Sequence, residues 1–211
     1  MTSAVKLCNA ALSLIGGSAR VVAISPPDGS AEAGHCANFY DMARREALEL
    51  ATPRFALARA TLAELATNPS DGWAYAYARP SLCLKPLRII RALSGLTVFT
   101  EDEVTYDPND RGGADFDVEA DTIFTNEPSA VLLYLVDSQD IGKWTPQFST
   151  GFSMLLASYL AGPIVKGLEG AKVGASWRQQ AEAKLARAAS SSANASQQTT
   201  NFVPASIAAR A

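Results

Sequence analysis

At 211 residues, 22.2 kDa and a net charge of −3, the chain is long enough for one domain with a proper core, or a domain with an appended arm, and too short for two full domains. A hydrophobic content of 48% describes a packed globular protein, while 18% charged residues fall below the usual quarter or so, so much of the surface is expected to be covered by partners. Cys8, Cys36 and Cys83 are scattered, with no Cys-x-x-Cys pair, so a disulfide framework or zinc site has no support, and His35 is the only histidine, which excludes any mechanism or metal site needing two.

In chain order, Val5, Cys8, Leu12 and Ile15 recur at helical spacing, with Leu7, Ala11 and Leu14 widening the stripe, which predicts a helix over residues 3–15 stopped by Gly16-Gly17. The start of the chain lacks the basic and apolar regions of a secretory signal, so synthesis in the cytosol is expected. Ser25-Pro26-Pro27-Asp28-Gly29 is turn chemistry, and Ser30 caps a second helix over 31–50 with a buried stripe of Ala33, Cys36, Tyr40, Ala43, Ala47 and Leu50, ended by Pro53.

Residues 54–136 form a β-rich insertion. Trp73-Ala74-Tyr75-Ala76-Tyr77 alternates large and small side chains in strand fashion. Pro80 and Pro86 bracket a turn or helical piece, residues 87–93 and 96–99 read as strands, and residues 116–120 and 122–125 lead to a turn at Asn126-Glu127-Pro128. Residues 130–136 are the expected return strand of an antiparallel meander. Thr145-Pro146 starts a third helix over 146–161, ended by Gly162-Pro163. Its longest apolar run, residues 154–161, falls short of the roughly 20 residues that span a bilayer, so no membrane helix and no membrane partner is expected. Gly167, Gly170 and Gly174 read as a flexible approach to a fourth helix over 171–189. That helix places Trp177, Ala181, Leu185 and Ala188 on one face and Lys172, Arg178, Lys184 and Arg187 on the other. Residues 190–211 read as an arm too polar to hold a core, although Phe202, Val203, Pro204 and Ile207 offer enough apolar surface to dock on a partner. The predicted class is α+β, mainly α: one domain over 1–189, with an antiparallel meander inserted between helices, and the arm.

No local pattern carries chemistry. Asp107-Pro108-Asn109-Asp110-Arg111-Gly112 superficially suggests a calcium loop, but it has Arg111 where an oxygen ligand is needed and Val118 where a bidentate glutamate is needed, so it reads as a solvated turn. No Gly-Lys-Ser/Thr follows the glycines, Glu32 and His35 make too weak a metal pair, and no Gly-x-Ser-x-Gly elbow is present. No cofactor is implied, and no enzyme activity is expected. Charge is more telling: residues 101–127 hold ten of the 21 acidic residues and one basic residue, Arg111, so this segment carries −9 and, against −3 in all, the remainder carries about +6. Glu101, Asp102, Glu103, Asp107, Asp110, Asp115 and Asp117 are the candidates for an acidic tip; repeated around an axis, they would repel phosphates and let a duplex slide.

The ordered set of Leu7-Cys8-Asn9-Ala10-Ala11-Leu12-Ser13-Leu14-Ile15-Gly16-Gly17, Tyr40-Asp41 through Arg44-Arg45-Glu46, Phe55-Ala56-Leu57-Ala58-Arg59-Ala60, the 73–77 stretch, Ile123-Phe124-Thr125-Asn126, Phe148 and Ala193-Asn194-Ala195-Ser196 resembles the tail tubular protein A type of head-to-tail adaptor of tailed bacteriophages, best known from short-tailed ones, over residues 4–196. Pro53-Arg54-Phe55 departs from the pattern where a tryptophan is common. The resemblance implies a structural protein of the virion neck without catalytic residues, a helical bundle from both ends of the chain with an inserted antiparallel sheet, in a twelve-copy ring. That ring would sit between the portal protein and a tail-side nozzle, stopper or tube protein and pass double-stranded DNA through its channel, with the arm embracing the portal. The alternative reading is a small helical regulatory or scaffolding module acting as a monomer or dimer.

Overall fold

The computed structural model describes residues 3–66, 72–90 and 113–194. Among these, four α-helices and eight short strands form a helical layer and two four-stranded antiparallel sheets, the α+β, mainly α class expected.

Ser3 caps α1 (Ala4–Leu14), its hydroxyl accepting from the Lys6 amide at 3.3 Å. The helix stops where the glycines predict: Gly16 takes a φ of 78°, and the Gly17 and Gly16 amides turn back to the carbonyls of Leu12 and Ser13 at 2.9 and 3.2 Å. Two side chains then fix the following loop. Asn9 pairs with Val21 in both directions, donating to its carbonyl at 2.9 Å and accepting from its amide at 2.8 Å. Asp28 accepts from the Ser30 hydroxyl at 2.6 Å and the Val22 amide at 2.7 Å, and these bonds hold its carboxyl well below the usual range.

Ser30 caps α2 (Ala31–Ala51), accepting from the Ala33 amide at 3.2 Å, and the helix closes on Thr52 in the left-handed region before Pro53. Leu50, expected inside, is 44% exposed; Leu48 and Ala51 are buried in its place. At 100° per residue Ala51 falls near the middle of the full buried arc, which runs from Ala43 round to Leu48, whereas Leu50 falls just outside its edge.

The carboxyl-terminal helices depart most from expectation. Thr145 caps α3 (Pro146–Val165), but the helix continues through Gly162-Pro163, and α4 (Gly167–Asn194) begins four residues earlier than expected and ends five residues later. Only Lys166 separates the two helices. Gly167, Gly170 and Gly174 therefore belong to α4 rather than to a flexible approach. A Cβ on Gly170 would lie 2.8 Å from the Ala161 carbonyl oxygen, one on Gly174 3.0 Å from that of Ser158, and one on Gly151 2.8 Å from the Leu185 side chain. These contacts bring the two backbones together, and the packing offsets glycine's helix penalty of about 1 kcal/mol. Residues 190–194, expected in the arm, form the last turn of α4, where the Ser190 hydroxyl donates to the Ala186 carbonyl at 3.1 Å and the Ser192 hydroxyl accepts from the Arg54 amide at 2.9 Å. At 20 residues, α3 is long and apolar enough to cross a membrane by length and composition, contrary to the run counted only to Ala161. In the fold it is the central helix, packed by α1, α2 and α4.

The strands are β1 (Leu57–Thr61), β2 (Ala63–Glu64), β3 (Tyr75–Ala78), β4 (Cys83–Ile90), β5 (Gly113–Ala114), β6 (Phe116–Glu119), β7 (Thr122–Thr125) and β8 (Val131–Val136). They pair in the orders β1-β8-β4-β5 and β2-β3-β7-β6. The expected meander is corrected: β8 pairs with β1 and β4, not with β7. The connection crosses between sheets because β3 holds it, Asn126 accepting from the Ala74 amide at 2.9 Å and the Tyr77 hydroxyl donating to the Glu127 carbonyl at 2.8 Å. Pro86 lies inside β4 at a register shift, where a residue without an N–H is tolerated, so the turn or helical piece expected up to it is largely strand. The strand expected over 96–99 and the end of the one expected over 87–93 lie outside the described residues.

Both sheets share one core, with Tyr77 and Ile123 from one and Ile89, Leu132 and Tyr134 from the other. Leu57, Leu84 and Leu135 turn the opposite way and join the helical core of Leu12, Leu48, Phe148, Phe152, Leu155 and Leu160.

The glycine contact generates a pair of opposite outcomes. Gly170→Ala should lower unfolding stability by about 1–2 kcal/mol, because the clash with a backbone carbonyl outweighs alanine's helix preference. Gly34→Ala, in α2 with nothing within 4 Å, should raise it by about 0.5–1 kcal/mol. Urea denaturation of the two variants and the parent chain reads both.

Candidate interaction surfaces

The acidic candidates within the described residues, Asp115 and Asp117, come to one exposed edge. β6 is the outer strand of its sheet, and Phe116 and Val118 pack into the sheet core, so the period of two turns Asp117 and Glu119 outward. Asp115 before the strand and Asp121 in the β6–β7 turn are also exposed, which adds Glu119 and Asp121 to the expected set. The Asp117 carboxylate accepts only locally here, from the Val118 amide at 2.8 Å. The neighbouring Arg79, whose amide bonds the Asp121 carbonyl, turns its guanidinium to the carbonyls of Cys83 and Leu84 at 2.7 and 3.1 Å. Glu101, Asp102, Glu103, Asp107 and Asp110 lie outside the described residues, as do the arm candidates Phe202, Val203, Pro204 and Ile207.

The triplet Arg44-Arg45-Glu46 divides its work between layers. Arg44 is only 3% exposed; its Nη2 donates to Asp137 Oδ2 at 3.2 Å and lies 3.0 Å from Oδ1, just past the end of β8. Arg45 Nε donates to the same carboxylate at 3.0 Å from the surface. Glu46 faces the other helices, accepting from the Tyr159 hydroxyl on α3 and the Arg178 guanidinium on α4. Burial, with the Glu46 bond, pushes the Tyr159 hydroxyl above its ordinary pKa. The role of Arg44 as a buried joint went unread in the sequence; the available signal was a charged triplet on a helix whose buried stripe is otherwise made of small residues.

The basic face expected on α4 is partly neutralised. Lys172 pairs with Glu169 at 3.0 Å, and Arg178 with Glu46 and, at 3.2 Å, with Glu182. Lys184 is half-buried and Arg187 exposed. The face expected inward holds, with Ala181, Leu185 and Ala188 buried and Trp177 half-buried.

Apolar surface is open at several points of the helical layer. Val22 is 78% exposed on the loop that Asn9 and Asp28 fix, Leu168 is 73% exposed at the start of α4, and Met42 and Leu50 face outward on α2. A groove of about 610 Å³ runs between α1 and α3, with Leu7, Ala10 and Leu14 on one side and Ser149, Thr150 and Met154 on the other.

Reactive groups are arranged for packing. Cys8 and Cys36 meet in the helical core at 0% exposure, Cys83 is buried between the sheets, and all three are free thiols, as small buried hydrophobes are expected to be. The hydrogen bond from its partner and burial push the Cys8 thiol up, and burial does the same for Cys83. Glu32 and His35 are half-buried in the first turns of α2, and no group of three His, Cys, Asp or Glu side chains converges among the described residues. No protein-family model matches the chain, and no curated protein is significantly similar to it.

The Arg44–Asp137 joint yields a contrast. Asp137→Ala should reduce stability by about 3 kcal/mol, since it leaves a buried guanidinium with only the exposed Asp41 carboxylate, 3.4 Å away. Arg45→Ala, which removes a partner 60% exposed to solvent, should cost under about 1 kcal/mol. Thermal or urea melts of the two variants separate the outcomes.

Proposed function

We propose that this protein is a structural ring subunit of a bacteriophage neck, joining the portal protein to a tail-side nozzle, stopper or tube protein and passing double-stranded DNA without catalysis. The carrying observation is the architecture: α1 and α2 from one end of the chain and α3 and α4 from the other pack into one bundle, and the antiparallel sheets are inserted between them. That is the arrangement the motif resemblance implies. The acidic edge of Asp115, Asp117, Glu119 and Asp121 supports the same reading, because carboxylates facing a channel keep phosphates from sticking. On this reading Phe202, Val203, Pro204 and Ile207 dock on the portal, and the working location is the virion.

Native mass measurement of the purified chain with and without its portal tests the assembly. A ring, twelve copies by analogy, or a portal-bound complex is expected; a monomer or dimer that ignores the portal would favour a helical scaffolding module instead. The charge argument has its own readout. The parent protein should not retain a short duplex, whereas the triple variant Asp115→Lys, Asp117→Lys, Glu119→Lys should bind it with a log–log salt slope of about −3 if each lysine meets one phosphate. Fluorescence anisotropy across a salt series measures this.

A further inference from the structure

We infer that the groove between α1 and α3 is the seat of this chain's own residues 202–207, so that Phe202, Val203, Pro204 and Ile207 pack inside their own subunit before any partner engages them. The inference does not depend on the neck reading, since it concerns the isolated chain.

The chemistry of the groove selects a peptide. Its walls are apolar where Leu7, Ala10, Leu14 and Met154 line them, which suits Phe202, Val203 and Ile207. Lys6 and Ser149 also line it, and two of its hydroxyls are already used as donors: Thr150 Oγ1 donates to the Pro146 carbonyl at 2.9 Å and Ser153 Oγ to the Ser149 carbonyl at 3.0 Å. What remains on them is acceptor capacity, which matches the N–H groups of an extended main chain. At about 610 Å³, the groove falls within the range that encloses a compact ligand.

The course of the chain selects the occupant. Leu185 of α4 lies against Gly151 of α3, within the stretch of α3 whose Thr150 and Met154 line the groove. From Leu185 to Asn194, the end of α4, the helix advances about 13 Å, and crossing one helix adds about 10 Å sideways. Residues 195–201 are seven in number and span at most about 25 Å. The tether is therefore long enough for Phe202 to reach the groove of its own subunit, and one so short presents it at an effective concentration on the order of millimolar, enough to fill a site that a free peptide would bind weakly. The next copy has no such advantage in dilute solution.

The test replaces Phe202 with p-benzoylphenylalanine in the full chain, irradiates it at several dilutions, and maps the crosslinks by mass spectrometry. The expected product is an intrachain crosslink to Met154 or to the α1 side of the groove, in a yield that does not change on dilution. Ala10→Glu, at an exposed position of α1, should reduce that yield about tenfold with the helical circular dichroism unchanged. Thr150→Arg, exposed on α3, provides the same block should Ala10→Glu disturb the fold. Crosslinks that map elsewhere, that join two copies, or that persist undiminished in both variants would overturn the inference. Ring formation is measured separately, so failure here leaves the neck reading to its own assay.

Discussion

The backbone-to-backbone contact between α3 and α4 is the constraint to which the helical layer is fitted. Gly170 and Gly174 have no Cβ, so α4 lies directly on the carbonyls of Ala161 and Ser158, and Leu185 fills the notch left by Gly151. Close approach increases the number of dispersion contacts, and glycine and alanine lose no side-chain rotamers on burial. With α4 pressed on one side, α3 sends its bulk the other way. Phe148 and Phe152 enter the space that Cys36, Ala43 and Ala47 of α2 leave, with Trp144 and Tyr40 packed edge-on against their rings. Small residues on α2 and large ones on α3 are thus two halves of one packing solution.

The joint to the sheets follows a different logic. In β8 the neighbours Tyr134 and Leu135 are both buried, one in each core, so this strand separates the two hydrophobic clusters. Hydrophobic contact alone would let β8 slide along α2. The buried Arg44 prevents that, since a guanidinium removed from water needs its carboxylate in place, and Asp137 directly after β8 supplies it. Such a pair contributes little net stability, because desolvation consumes most of the attraction. Its effect is positional: it fixes where the end of the sheet meets the second helix.

What could be read from the sequence and what could not divide along the range of the interactions. Gly16-Gly17, Ser30 and Thr145-Pro146 act within one turn of themselves, and each ends or starts a helix where expected. The glycines of α4 carry the same local signal but a different meaning, since their helix penalty is offset by a neighbour 9 to 16 residues earlier in the chain. Pro86 reads as a breaker until β8 provides a register shift that accommodates it. β8 does not pair with β7, the nearest strand in sequence, because β7 is already paired with β3 and β6 and the segment after it is held by Tyr77 and Ala74. Of the surfaces, the acidic segment shows in the sequence as a run of like charge, whereas the α1–α3 groove is formed by residues about 140 positions apart and has no periodic trace.

The same carboxylates that face outward on β6 also act on the fold itself. An outer strand exposes unpaired main-chain groups along one side, and like charges beside it oppose pairing with another copy's outer strand. Repulsion of phosphate and repulsion of a second β6 are one electrostatic property. Contacts between copies, on the proposed reading, avoid that edge and fall to the helical layer, where Lys172, Arg178 and Glu46 already have partners and Val22, Met42, Leu50 and Leu168 leave apolar surface open. On the proposed reading, the molecule separates its tasks by charge: the sheets turn a surface toward DNA that nothing anionic adheres to, and assembly falls to the helices.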